Sequence, residues 1–255
     1  MPQYICMTTL VIIPTYNEKE NIDKIILKTL SLAEYLHILI VDDNSPDGTA
    51  NIVKDLMKEH PNRLFILERK GKLGLGTAYI AGFKWGLERG YELMNEMDAD
   101  FSHPPEKLID LHDACEKDGF DVAIGSRYVK GINVVNWPLG RILMSYYASA
   151  YVRMVTRLKI KDTTAGFVCY RRKVLENIGL DQIKMKGYGF QIEMKFKAYK
   201  LGYKITEIPI IFTDRQEGKS KMSGGIFGEA LWGVIKMKVK SWFEKYERND
   251  GKDTH

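Results

Sequence analysis

Residues 97–105 read MDADFSHPP and place two carboxylates, Asp98 and Asp100, one residue apart. At the end of a strand, where side chains alternate, both point to one side. Such a pair can share a hard divalent cation whose remaining positions are filled by phosphate oxygens. Two aspartates in a loop are, taken alone, more often a solvated turn. These two keep company with PTYNE at 14–18, VDDNSPDGT at 41–49, RKGKLGLGTA at 69–78, GSRY at 125–128, GYGFQIEM at 187–194 and TDRQEGKSKM at 213–222.

The elements that must position these segments follow from hydrophobic periodicity. Residues 10–13 are apolar and β-branched and form a strand that stops at Pro14, while 18–33 carry Ile22, Ile25, Ile26 and Leu30 at helical spacing. A strand over 37–41 runs into the acidic turn and then a helix with Ile52, Val53, Leu56 and Met57 on one face. A third strand over 64–68 leads through the glycine loop to a helix ending near Glu88. Pro104 and Pro105 open a helix over 105–116, and a buried strand over 122–125 leaves Arg127 at its end. The alternation weakens over 131–157, where a helix bears Tyr146, Tyr147 and Tyr151, and a last strand spans 204–212. This order predicts an α/β fold with a doubly wound, mostly parallel sheet, whose ligands bind beyond the carboxyl ends of the strands.

The glycine loop is spaced GxxGxG at Gly71, Gly74 and Gly76, which matches neither a dinucleotide fingerprint nor a Walker loop. Its glycines open a helix, or Lys72 among them leans on a phosphate or ribose. Arg215 and Lys221 are either a solvated basic loop or phosphate contacts. For Gln191 and Glu193, capping of a helix start competes with contact to sugar or acceptor. Asp43 and Asp47 read as turn builders and a helix cap.

The chain has 255 residues, 45% of them apolar, enough for one large domain with an ample core. A net charge of +5 without aromatic-interleaved basic clusters argues against nucleic acid and for a phosphate-bearing partner or an anionic membrane surface. Cys6, Cys115 and Cys169 lack metal-ligand spacing, which predicts a reducing compartment. The absence of a basic n-region before the short run 10–13 predicts a cytoplasmic location. The uncharged run 142–152 is well under the ~20 residues of a spanning helix.

Together the motifs PTYNE, VDDNSPDGT, GLGTAY, MDADFSHPP, GSRY and DRQEGKSKM, in this order, resemble glycosyltransferase family 2 and within it the polyprenol-phosphate (dolichol-phosphate) mannosyltransferases. The resemblance runs from about Thr9 to Met222 and implies a GT-A fold. It implies that Pro14, Tyr16 and Glu18 hold the nucleobase and ribose, with Ile40 and Asp42 beside them. Asp98, Ala99 and Asp100 match the metal and diphosphate site, with Mg²⁺ or Mn²⁺ on Asp98 and Asp100. Arg127, Arg215 and Lys221 match basic groups facing the donor and acceptor phosphates, and with Asp100 they form the implied catalytic set. Some family members carry Gln where Ser102 stands, which leaves a third protein ligand to the metal open. The implied reaction is inverting transfer of mannose from GDP-mannose to a polyprenyl phosphate. Another nucleotide sugar such as UDP-glucose, or a non-catalytic sugar-nucleotide scaffold, is the alternative, and a nicotinamide dehydrogenase is the weakest.

On this reading residues 1–222 form the catalytic domain, 223–247 an amphipathic interfacial helix and 248–255 a disordered tail. Phe227, Leu231, Val234, Ile235, Trp242 and Tyr246 recur at about helical spacing, with Lys236, Lys238, Lys240 and Lys245 among them. Lys near a bilayer centre costs ~2.5 to 3.5 kcal/mol, so this helix lies on a membrane and does not span it. The expectation is peripheral attachment to the cytoplasmic face, against the alternative that the helix packs on its own domain or on a membrane-spanning partner subunit.

Overall fold

The computed structural model describes residues 7–214 and 226–248. Strands β1 (Thr9–Thr15), β2 (Leu36–Asp42), β3 (Leu64–Glu68) and β4 (Leu93–Glu96) pair in parallel in the order β3-β2-β1-β4. Helices α1 (Ile22–Leu30), α2 (Thr49–Glu59) and α3 (Leu75–Glu88) make the crossovers. A parallel sheet covered on both faces needs strands apolar on both sides, and β1 meets that demand. Leu10 and Ile12 pack with Tyr79 and Phe83 of α3, while Val11 and Ile13 pack with Ile22, Ile25 and Ile26 of α1.

The strand predicted to stop at Pro14 continues to Thr15. Pro14 lacks an N–H, yet β1 pairs with β4 only as far as Ile12 opposite Glu96, so Pro14 is paired on the β2 side alone, opposite Val41. Here, where neighbours diverge, the carboxyl ends open into a crevice.

The chain continues through α4 (Lys107–Glu116), β5 (Val122–Ser126), β6 (Val134–Val135), α5 (Leu139–Thr156), β7 (Val168–Arg171) and α6 (Arg172–Ile178). After these come α7 (Tyr188–Lys200), β8 (Ile205–Pro209), β9 (Phe212–Thr213) and α8 (Ile226–Lys240). The seven-stranded sheet ends β4-β7-β5-β8, with β7 antiparallel to both neighbours and β8 parallel to β5. The predicted last strand therefore divides: β8 stays in the sheet, and β9 leaves it to pair with β6. Pro104 and Pro105 lie in the turn before α4, where their carbonyls accept from Lys107 N and Leu108 N. Helix α8 ends at Lys240, short of the predicted Tyr246, and packs on α5 and α7 with Val234 buried. No helix among the described residues is long and apolar enough to cross a membrane.

Candidate functional site

A cavity of about 450 Å³ lies beyond the carboxyl ends of the strands and is lined by Pro14, Tyr16, Glu18, Asp98, Ala99, Asp100, Arg127 and Gln191, among others. Two turns build its β1–β2 wall. Asp42 is buried and turned into its own loop, where Oδ1 accepts from Thr15 Oγ1 (2.9 Å) and Ser45 Oγ (2.6 Å) and Oδ2 from Ser45 N (2.8 Å). Ile40 is wholly buried in the core beneath. Neither side chain lines the cavity: an interior strand hides Ile40, and an Asx-type turn engages the Asp42 carboxylate.

Asp43 takes the place at the wall, its Oδ1 3.0 Å from Arg69 Nε. Burial pushes its pKa up, and Arg69 offsets part of that. Asp47 accepts from Thr49 N (3.0 Å), Thr49 Oγ1 (2.6 Å) and Lys19 N (3.1 Å), so it starts α2 and ties the PTYNE loop to it. Asn17 N donates to Ser45 Oγ and Glu18 N to Thr49 Oγ1, which stitches the two loops together. Lys72 lines the same wall with its ammonium 4.9 Å from the centre of the Tyr16 ring. In the glycine loop, Gly74 has a positive φ of 103°, and a Cβ on Gly76 would sit 2.8 Å from the Phe190 ring. The first glycine serves the turn and the second the contact between α3 and α7.

Strand β4 stops at Glu96, and a bend, not strand alternation, brings Asp98 and Asp100 to the cavity. Phe101 holds a φ of 59°, a left-handed conformation unusual for a bulky side chain and of the kind that gathers at functional loops. Asp98 Oδ1 accepts from the Tyr79 hydroxyl (3.2 Å), and Asp98 N donates to His103 Nδ1 (3.1 Å). That bond leaves the imidazole proton on Nε2. Burial holds the His103 pKa below its usual value, against the pull of Asp98, and the ring stacks on Phe167 at 5.0 Å. Asp100 Oδ1 accepts from Ser102 N (3.1 Å) and Ser102 Oγ (2.6 Å), so Ser102 orients the carboxylate. Among the described residues no group of three His, Cys, Asp or Glu could hold a metal ion unaided. Two hard carboxylates on a cavity wall fit a cation that takes its other ligands from a bound diphosphate.

The opposite wall carries cations locked in pairs. Arg127 leaves β5 and donates through Nε to Asp162 Oδ2 (2.7 Å) and through Nη2 to Asp162 Oδ1 (2.6 Å) and Thr164 Oγ1 (2.9 Å). Burial works against both charges, yet each partner outweighs it: the Arg127 pKa is held above and the Asp162 pKa below its usual value. Arg127 thus reaches the cavity from the predicted strand end as half of a buried ion pair. Arg141 of α5, which the sequence reading missed, donates through Nη1 to both carboxylate oxygens of Asp214 at 3.0 Å and lies 4.1 Å from the centre of the Trp137 ring. Gln191 donates to Glu96 Oε2 (2.8 Å) at the cavity floor. Glu193 does not reach the cavity: its Oε2 accepts from Lys184 N and Met185 N, both at 2.9 Å, and so holds the loop before α7. Arg215 and Lys221 lie outside the described residues.

Beside the cavity an apolar groove of about 100 Å³ runs between α5, α7 and α8, lined by Met144, Tyr151, Ile192, Leu231 and Val234. Trp137, Arg141, Thr164 and Tyr188 line both spaces. Leu139, Tyr147 and Met154 of α5, Trp232 of α8 and the following Trp242 and Phe243 are exposed.

Residues 10–179 match the profile of Glycosyl transferase family 2. The chain belongs to that family. A polyprenol monophosphomannose synthase of Mycolicibacterium smegmatis is 47% identical over 93% of this chain and 89% of its own length. An undecaprenyl-phosphate mannosyltransferase of Micrococcus luteus is 46% identical over 93% of this chain and 97% of its own. Among solved structures, the family fold is shared with a glucosyl-3-phosphoglycerate synthase from Mycobacterium tuberculosis in complex with Mn²⁺, uridine diphosphate and phosphoglyceric acid. The TM-score is 0.67 at 15% identity, over 91% of this chain and 78% of the other. A mannosyltransferase from Pyrobaculum calidifontis in complex with GDP-Man and Mn²⁺ gives a TM-score of 0.54 at 15% identity, over 92% and 73%. The seven-stranded, mostly parallel sheet of this family 2 chain is thus of GT-A type.

Proposed function

We propose that the chain transfers mannose from GDP-mannose to a polyprenyl phosphate, with inversion at the anomeric carbon. One observation carries the reading: a cavity with paired aspartates meets an apolar groove at Trp137, Arg141, Thr164 and Tyr188, with Arg127 on the cavity side. A nucleotide sugar suits the first space and a prenyl chain the second, and a phosphate at their junction would lie against the Arg141 guanidinium, with Arg127 bonded to Thr164 on the cavity side. The names of the two curated relatives support the same sugar and the same class of acceptor.

Asp98 and Asp100 would hold Mg²⁺ or Mn²⁺ together with the donor diphosphate, and the bound cation supplies charge stabilisation for the leaving nucleotide. Tyr79, Ser102 and His103 orient the aspartate loop. The acceptor phosphate is anionic at neutral pH and attacks the anomeric carbon without a strong general base. The carbon–oxygen bond to the diphosphate breaks, and its electron pair leaves with the nucleotide. Tyr16, Glu18, Asp43 and Lys72 face the nucleoside end, and Arg215 and Lys221 remain proposed phosphate contacts on the loop after Asp214. Residues 1–222 serve as the catalytic domain, and the segment 223–247, which contains α8, rests together with α5 on the membrane that holds the acceptor. Trp232, Trp242 and Phe243, 74%, 67% and 84% exposed, would enter the headgroup layer beside Lys236, Lys238 and Lys240.

Incubation with labelled GDP-mannose, Mg²⁺ or Mn²⁺ and a polyprenyl phosphate should yield an organic-extractable mannolipid. Product from UDP-glucose and none from GDP-mannose would replace the donor in this reading, and no product from either would favour a binding scaffold. Flotation with anionic liposomes should be salt-sensitive and lost when the chain is cut after Met222. Equal flotation of cut and full-length chains would remove the membrane role of this helix.

A further inference from the structure

Beneath the cavity lies a polar cluster that the proposed reaction does not use. Glu96, the last residue of β4, and Lys195 of α7 are both wholly buried. The Gln191 side chain stands between them. Its Nε2 donates to Glu96 Oε2 at 2.8 Å, and its Oε1 accepts from Lys195 Nζ at 3.2 Å. Lys195 Nζ also donates to Ala165 O (2.6 Å) and Gln191 O (3.2 Å), which accounts for all its hydrogens.

An accepting Glu96 oxygen on one side and a donating Lys195 Nζ on the other fix which way the amide faces, because the reversed amide would set oxygen against oxygen and N–H against a donor. The same ammonium pins the Ala165 carbonyl, and Ala165, Gly166 and Gln191 all line the cavity. Glu96 precedes Asp98 by two residues, so the cluster also joins the root of the aspartate loop to α7. What these hydrogen bonds supply is a single orientation of a polar group on the cavity floor.

We propose that Glu96 and Lys195 are positioning residues that lock the Gln191 amide and the Ala165 backbone as the seat of the transferred hexose. The inference rests on the sugar-transfer reading above and adds the residues that set where the sugar sits relative to Asp98 and Asp100. Neither Glu96 nor Lys195 lines the cavity. The nucleotide is held elsewhere, on the Tyr16 and Asp43 wall, so a loosened seat should lower turnover without loosening the nucleotide.

The test uses the full chain with GDP-mannose and polyprenyl phosphate, calorimetric binding of GDP, and thermal melting. Glu96→Gln and Lys195→Met should each lower kcat about tenfold or more, since a small misplacement of a reacting group is costly, while GDP affinity stays near that of the wild type. In a Gln191→Ala background Glu96→Gln should alter kcat by less than about twofold, because it acts through that amide, while Lys195→Met keeps the part of its loss that runs through Ala165. A fully additive loss for Glu96→Gln in that background, or an unchanged kcat in folded Glu96→Gln, overturns the proposal. Loss of the native melting transition in both variants would make the cluster a folding device and overturn it as well. Wild-type transfer with unaffected variants defeats this inference alone, whereas a wild-type chain that transfers no hexose from GDP-mannose or UDP-glucose defeats the underlying reading too.

Discussion

The two halves of the sheet build their walls of the cavity by different means. On the β3-β2-β1-β4 side each wall segment is the loop directly following a strand. It is held by short-range turn bonds, such as Asp42 to Ser45, Asp47 to Thr49 and Asp100 to Ser102. On the β7-β5-β8 side the wall residues are held by partners far away in the chain: Arg127 by Asp162, Arg141 by Asp214, and Gln191 by Glu96. Local turns fix the backbone of each loop through its own carboxylates. Distant ion pairs fix side chains, and they make the fold depend on both partners.

That difference can be broken at its strongest point. Asp162→Ala should cost about 3–5 kcal/mol, because it strands the Arg127 charge in the interior, whereas Asp47→Ala on the other side should cost only about 1 kcal/mol for a lost helix-start contact. Denaturant titration of both variants checks the ordering, and equal losses would erase the contrast. The pair also predicts an acid limb. The Asp162 pKa is depressed in the folded protein, so its contribution is full above the unfolded value near ~3.9 and is lost as pH falls through the lower folded value. Stability followed below about pH 4 should fall less steeply in Asp162→Ala than in the wild type.

The next effect is on rate. Asp100→Asn should lower turnover by about 10²-fold or more, since one preorganised charge contact to the diphosphate site is lost. Its melting temperature should hardly move, because Asn keeps an oxygen for Ser102. Near-normal turnover of this variant in EDTA-treated buffer would count against the metal-assisted reading.

The same contrast explains what the sequence disclosed. Strands β1 to β3, their helices and the loops after them are legible because each unit is a contiguous run of apolar periodicity closed by turn residues. Val168–Arg171 reads equally as a strand, but nothing in a single segment says that it enters antiparallel between β4 and β5. Arg127 is visible as a basic residue at a strand end, while its partner Asp162 is 35 positions away. Gln191 and Glu96 are 95 apart, so their bond has no local signature. That Ile40 and Asp42 do not line the cavity has another origin: a motif names a loop, and only the strand's final residues decide which side chains turn outward.

A smaller effect tests the seam between the halves. Gly76→Ala would bring a Cβ to 2.8 Å from the Phe190 ring, in a contact that joins α3 to α7. Overpacking of this kind should cost about 1–3 kcal/mol. A Phe190→Leu change in the same chain should recover part of it by opening space. A fully additive loss in the double variant would place the cost of Gly76→Ala in its own loop and not at the seam.

The smallest predicted change sharpens the local side of the comparison. Tyr79 is fully buried, its ring 6.1 Å from Phe190 at an interplanar angle of 8°, and its hydroxyl donates to Asp98 Oδ1. Burial pushes the Tyr79 pKa well above the usual value, and the negative charges of Asp98 and Glu96 push it further, so the group stays a donor throughout the working range. Tyr79→Phe keeps the ring and removes one hydrogen bond. The expected loss is about 0.5–1.5 kcal/mol, or a few-fold in turnover. Because that bond orients a carboxylate at the candidate metal site, the loss should appear as a higher divalent-cation concentration for half-maximal activity, with GDP-mannose affinity measured at saturating cation little changed. A cation titration that superimposes on the wild type would mean that the backbone bend through Phe101 alone sets Asp98, and that the local wall needs no help from α3.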